Sequence, residues 1–193
     1  GLDPRKENHP IYNKQAEYYN SHLTMFETPK TTKFHCEAAE DFNYEDYEDT
    51  FDIIFTSPPY FNVERYSHDD TQSWVRYKDI NNWNTQFLQK ALDNMLPTLR
   101  SGGKLCVNIS DVYSPSAGKK AWSKICDPMN EFLDEYTDME YKGCIGMEMA
   151  KRPNSGGAGT AKDTKQYTEE SLQLAKETKD KRFAEPIWIW EKK

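Results

Sequence analysis

Six residues carry the chemistry that this sequence suggests: Thr56-Ser57-Pro58-Pro59-Tyr60-Phe61, directly behind the apolar run Phe51-Asp52-Ile53-Ile54-Phe55. Two consecutive prolines fix φ twice and remove two backbone donors. Each also pushes the residue before it into extended backbone. The carbonyls here are therefore not consumed by a following helical turn. They stay available as acceptors beside the Ser57 hydroxyl, and Tyr60 and Phe61 add flat aromatic faces. Outward acceptors next to a stacking ring suit the capture of a nucleobase that carries an exocyclic amino group. A Pro-Pro after a strand also serves as a plain strand stop, and the segment alone leaves both readings open.

The elements that must position this segment read as strands alternating with helices. A helix is expected near Pro10 to Leu23, followed by a strand over Thr32-Lys33-Phe34-His35-Cys36. The next strand is Phe51 to Thr56, and a polar loop follows to about Lys78. Asp79 then caps a helix from Ile80 to Leu99, in which Trp83, Phe87, Ala91, Leu92, Met95 and Leu96 recur at helical spacing. Pro97 bends its last turn, and Ser101-Gly102-Gly103 stops it. Lys104 to Ser110 reads as a strand, Trp122 to Tyr136 as a helix and Glu140 to Met149 as a strand. Residues 151–181 read as a mobile polar loop that opens on Gly156, Gly157 and Gly159, with a weak helix from Thr168 to Lys179. Phe183 to Trp190 is the final strand, with Trp188 and Trp190 on one face and Ile187 and Ile189 on the other. This order predicts one α/β domain over residues 1–193, built on a mostly parallel sheet with helices on both faces. The last two strands have no strong crossover helix between them, which leaves an antiparallel pairing open to them. In such sheets ligands bind beyond the carboxyl ends of the strands, where the Ser-Pro-Pro-Tyr segment falls.

Composition narrows the function classes. With 193 residues the chain is long enough for one domain with a real core. Charged residues make up 30% of it, and no apolar run approaches a membrane span. No signal peptide is visible. The four cysteines are widely spaced, with no CxxC pair and only four histidines, so neither a zinc site nor a disulfide framework is expected. Cys106 reads as a reduced core residue, and a cytoplasmic setting fits. The formal net charge of −7 argues mildly against a dedicated nucleic-acid binder. The acids cluster in Glu37 to Asp52, however, while Lys and Arg concentrate after Arg100.

Thr56 to Tyr60 resembles the (Asp/Asn/Ser)-Pro-Pro-(Tyr/Phe/Trp) motif of S-adenosylmethionine-dependent DNA amino-methyltransferases, which methylate adenine N6 or cytosine N4. The Ser-led form is most similar to the cytosine-N4 group. The resemblance implies a Rossmann-like methyltransferase fold with Ser57, Pro58, Pro59 and Tyr60 as catalytic residues. The Ser57 side chain and the Pro58 carbonyl would accept hydrogen bonds from the target amine, while Tyr60 stacks on the flipped base. Gly1-Leu2-Asp3 resembles the family's second strand, whose terminal acid binds the cofactor ribose, so Asp3 takes that role. Cys36-Glu37-Ala38 resembles the segment that meets the cofactor's adenine. Glu37 and Ala38 are therefore candidate contacts with S-adenosylmethionine, together with Thr56, and Glu40 and Asp41 compete with Glu37. Leu99 to Leu105 resembles the family's helix-to-strand turn, and Ala184-Glu185-Pro186 its Glu-Pro-led final strand, from which Glu185 could anchor a loop near the site. Phe61, Arg65 and Arg76 become candidate substrate-binding residues, with DNA as partner, since arginines interleaved with aromatics suit phosphates and splayed bases. Lys151-Arg152-Pro153-Asn154 is a second candidate grip on DNA. No metal and no membrane are implied.

One element of the resemblance is missing. The family holds its cofactor chiefly with a glycine-rich turn after the first strand, commonly Phe-x-Gly-x-Gly. No such turn precedes Asp3, and Gly156-Gly157-Ala158-Gly159 follows no apolar strand. The resemblance thus implies a domain without its first strand, the turn coming from an upstream segment or a partner subunit. Related Pro-Pro-Tyr motifs act on RNA bases and on glutamine amides of proteins, and these stay open as alternatives. So does an inactive, methyltransferase-like binding subunit.

Overall fold

The computed structural model describes residues 1–114, 121–148 and 184–193. The expected loop over residues 151–181, its weak helix and the Lys151 to Asn154 segment lie outside them. The chain opens on helix α1 (His9–Ser21), with Pro10 in its first turn, where a missing N–H costs nothing. The strand expected around Phe34 reduces to one parallel bridge between Leu2 and His35. Asp3 N donates to His35 O (3.1 Å) and His35 N to Gly1 O (2.9 Å).

Strand β1 (Phe51–Thr56) follows, and then the short helix α2 (Ser73–Arg76). The expected long helix is α3, capped by Asp79, whose carboxylate accepts from the N–H groups of Asn81 (2.9 Å) and Asn82 (3.2 Å). Its segments Ile80–Asn82, Trp83–Gln89 and Lys90–Met95 are α, π and α in turn. Pro97 sits in the tight turn Leu96–Thr98 that ends the helix.

Strand β2 (Leu99–Asn108) starts five residues earlier than Lys104, and its glycines do something other than stop a helix. Phe51 lies opposite Leu99 and Ile53 opposite Lys104, so residues 100–103 bulge out of the ladder. Gly102 takes φ 78°, which favours glycine. At Gly103 a Cβ would lie 2.8 Å from Arg100 O and 3.0 Å from Phe51 O.

Strands β3 (Val112–Ser114) and β4 (Ala121–Ser123) form a separate antiparallel ribbon. Trp122, expected in a helix, therefore lies in β4, and helix α4 is shorter than expected (Cys126–Asp134). Its start is fixed from a distance: Asp111 Oδ1 accepts from Ile125 N (2.8 Å) and Cys126 N (3.0 Å).

Strands β5 (Met139–Glu148) and β6 (Ala184–Lys192) complete a four-stranded sheet in the order β1-β2-β6-β5. The sheet is mixed rather than mostly parallel. β1 and β2 are parallel, but β6 inserts between β2 and β5 and runs antiparallel to both.

One face of the sheet carries the core. Ile54, Leu105, Val107, Trp188 and Trp190 pack with Trp83, Leu88 and Leu92 of α3 and Met129 and Leu133 of α4. Trp188 is locked in by donating from Nε1 to Ile109 O at 3.0 Å. The isoleucines of β6 take the opposite face, as their alternation predicts. That second face is open along β1 and β5: Ile53 is 61%, Phe55 63% and Ile145 56% exposed. Cys106 lies on this face, only half-buried, because its register partners are Phe55 and Ile189. Among the described residues β1 pairs with β2 alone.

The bulge predicts a stability effect. Gly103→Ala pushes a methyl against two carbonyl oxygens and is expected to cost about 1–3 kcal/mol in urea unfolding. An unchanged midpoint would show that the bulge relaxes freely.

Candidate active site

β1 delivers the Ser-Pro-Pro-Tyr turn at its carboxyl end, beside the carboxyl end of β2, because Thr56 stands opposite Val107. Pro58 is buried, while Ser57 is exposed. The turn is closed by backbone bonds from Phe61 N to Pro59 O (2.9 Å) and from Val63 N to Tyr60 O (3.0 Å). Tyr60 N donates to Glu64 Oε2 at 3.0 Å. The Ser57 hydroxyl donates to Asn108 Oδ1 at 3.4 Å.

A cavity of about 450 Å³ opens at this end of the sheet, a size that suits a small organic ligand. Asp3, Ala38, Glu40, Thr56, Ser57, Pro58 and Pro59 line it, over an apolar floor of Leu88, Ala91 and Leu92. α3 supplies that floor because its apolar stripe faces the sheet.

Two carboxylates in this wall have opposite electrostatics. Burial alone would raise the Asp3 carboxyl, but hydrogen bonds from Asn8, Tyr12 and the Arg5 N–H outweigh it and hold it below its ordinary value. Arg5 N and Asn8 Nδ2 each lie 2.8 Å from it, and the Tyr12 hydroxyl is closer still. Glu40 is only 1% exposed. Its Oε1 accepts from Arg76 Nη1 (3.1 Å) and Tyr77 Oη (3.5 Å), while Oε2 is buried with no partner. Burial pushes its carboxyl up, and the Arg76 charge offsets this only in part. Ser73 Oγ, on the same cavity wall, is also buried without a partner. A wall with two unsatisfied polar atoms fits a polar ligand better than an apolar one.

Most of the residues expected at the site meet there, and some do not. Asp3, Ala38, Thr56, Ser57, Pro58 and Pro59 all line the cavity, whereas Glu37 is exposed and lies outside its lining. Glu40, its competitor in the sequence, faces the cavity instead. Tyr60 packs against the core and does not line the cavity. Its hydroxyl is buried beside Glu185, and burial first, then that carboxylate, drives its pKa far up.

Phe61 is a correction. Its left-handed backbone (φ 45°) turns the ring into the core, edge-on to Trp83 at 6.0 Å, so it offers no face to a base. Arg76 is held by Glu40 and Asp41, and its Nε donates to Asp70 O (2.7 Å), so the guanidinium organises the wall rather than standing free for a phosphate. Arg65 is exposed, with its guanidinium 5.0 Å over the Trp74 ring. Asn108 escapes a reading of the sequence. Its signal is a lone amide closing an apolar strand next to the one that carries Ser57.

Glu40 makes stability depend on pH. Its ordinary value is 4.5 and its folded value is higher, so the folded chain holds the proton longer than the unfolded one. Stability should therefore fall as pH rises from about 4.5 through the folded pKa. Glu40→Gln should abolish that part of the fall; superimposable pH profiles of urea unfolding for the two proteins would contradict it.

Comparison with known proteins gives the fold and the family. A sequence profile of the DNA methylase family matches residues 51–193. No curated protein matches. Among solved structures, a Thermus thermophilus protein assigned as a DNA modification methylase, in complex with S-adenosyl-L-methionine, is similar at 15% identity and a TM-score of 0.51. The match covers 81% of this chain and 53% of that one, so the chain spans about half its length. An S-adenosylmethionine-dependent methyltransferase from Methanosarcina mazei is 11% identical with a TM-score of 0.51, covering 100% of this chain and 80% of that one. These likenesses establish a Rossmann-like methyltransferase fold. With the profile matched over most of its length, the chain belongs to the DNA methylase family.

Proposed function

We propose that this chain transfers the methyl group of S-adenosylmethionine to an exocyclic amine of a DNA base, cytosine N4 or adenine N6. The observation that carries the reading is the placement of Ser57 and Pro58 on the rim of a cavity whose wall holds Asp3 and Glu40. The cavity fits the cofactor in size, in its unsatisfied polar atoms and in its apolar floor. Asp3 would accept from one hydroxyl of the ribose diol, since a carboxylate with about four acceptor sites keeps one beyond the three hydrogen bonds it already receives. Ala38 and Glu40 would flank the adenine, in the place expected of Glu37. The cofactor, when bound, supplies an electrophilic methyl on a positively charged sulfur.

The chain's own residues prepare the amine. Ser57 Oγ and the Pro58 carbonyl accept its two N–H bonds, which turns the nitrogen lone pair toward the methyl. The nitrogen forms the new N–C bond as the C–S bond breaks toward sulfur, and one N–H proton leaves afterwards to water. No strong base is needed, because the nucleophile is held in line. Tyr60, fixed by its packing against the core, is the candidate stacking partner of the flipped base. Arg65, braced on Trp74, is the candidate phosphate contact. A cytoplasmic location accompanies a DNA substrate.

The glycine-rich turn of the family would come from outside these 193 residues, in an upstream segment or a partner subunit. The outer edge of β1, unpaired among the described residues, and the open apolar face beside it support this. The net charge of −7 favours a second reading, the same chemistry on an RNA base or a protein amide.

Calorimetric titration with S-adenosylmethionine should show saturable binding, weakened roughly tenfold or more by Asp3→Asn, about 1.4 kcal/mol. Transfer of labelled methyl to duplexes bearing only cytosine or only adenine amines in the reactive strand should fall about 10²–10³-fold in Ser57→Ala, with cofactor affinity kept. Undiminished transfer in that variant would remove Ser57 from the mechanism.

A further inference from the structure

We propose that Asn108 is a positioning residue that holds the Ser57 hydroxyl as a hydrogen-bond acceptor toward the target amine; the proposal rests on the methyltransferase reading above. Asn108 closes β2, is only 5% exposed, and stands one residue beyond the Thr56–Val107 register pair. Its Nδ2 donates to Pro186 O at 3.1 Å in a buried bond. A carbonyl can only accept, so the amide nitrogen must face Pro186 and the amide oxygen must face Ser57. That oxygen lies 3.4 Å from Ser57 Oγ and cannot donate. The single proton of the Ser57 hydroxyl therefore points at Asn108.

The chemical consequence is directional. A serine hydroxyl free to rotate can donate to the amine nitrogen, and that would tie up the lone pair that must attack the methyl. With its proton engaged by Asn108, the hydroxyl offers the amine only lone pairs. The amine then donates an N–H to Ser57 and its own lone pair stays free. Asn108 thus selects one of two hydrogen-bond polarities without touching substrate. The chain Ser57–Asn108–Pro186 also gives the final strand a part in the site. Pro186 lends its carbonyl, and its ring has no N–H to compete for the amide oxygen.

Two measurements on the chain test this. In proton–nitrogen NMR spectra the Asn108 side-chain amide should exchange slowly, and its resonances should shift in Ser57→Ala. Unmoved resonances would show that the contact is absent, whatever the chain methylates. In single-turnover methyl transfer, Asn108→Ala should lower the rate by about 10–100-fold with KM for DNA changed less than about 3-fold. The same substitution in a Ser57→Ala background should cost nothing further, because Asn108 acts through that hydroxyl. An unchanged rate in Asn108→Ala, or additive losses in the double variant as a purely structural defect would give, overturns the proposal. A wild-type chain that transfers no methyl even when the segment carrying the glycine-rich turn is supplied refutes the methyltransferase reading itself, and the amide spectrum then decides the contact alone.

Discussion

The parallel pairing of β1 with β2 is the contact on which the site depends. Four consecutive register pairs, from Ile53–Lys104 to Thr56–Val107, end the two strands side by side. Ser57 and Asn108 follow directly and meet as side chains. A slip of one residue would turn the slipped strand's side chains to the other face. Ile54, Leu105 and Val107 prevent such a slip, since each would leave a dry core for water. The bulge at residues 100–103 absorbs the mismatch at the other end of the pairing, so the end that carries the chemistry stays regular. β6 then clamps β2 from its other edge, with Trp188 filling the core and Pro186 holding Asn108.

Around this ladder the wall of the cavity is built electrostatically. Asp3 is kept ionised by three donors, all of them from the loop and helix that immediately follow it. Glu40 is kept in place by Arg76, which also binds Asp41, while Lys90 binds Asp41 from α3. This cluster ties the segment after His35 to α2 and α3. Removing one partner would leave a buried charge uncompensated, which costs more than an exposed pair is worth. An acidic stretch that looks solvated in the sequence is therefore partly internal architecture.

Sequence and structure divide the account by range. The apolar run followed by Thr-Ser-Pro-Pro-Tyr determined a strand ending in a rigid turn, because proline chemistry acts on adjacent residues. The helical stripe behind Asp79 and the two faces of the final strand were likewise legible, since periods of 3.6 and 2 are local properties. The family resemblance carried by the turn brought Asp3 and Ala38 into view as well, and both line the cavity.

Only the tertiary structure decided what depends on distant partners. It chose Glu40 over Glu37, because burial and an ion pair to Arg76, 36 residues away, set which carboxylate faces inward. It put Phe61 in the core through a left-handed backbone that no composition announces. It started α4 at Cys126 through a carboxylate 15 residues earlier. It made the sheet mixed by inserting β6 beside β2, and so placed the Pro186 carbonyl against Asn108, 78 residues away in the chain. Spacing along a sequence constrains neighbours a few residues apart; which amide oxygen faces which hydroxyl is set by the pairing of strands, and that is decided only when the chain closes on itself.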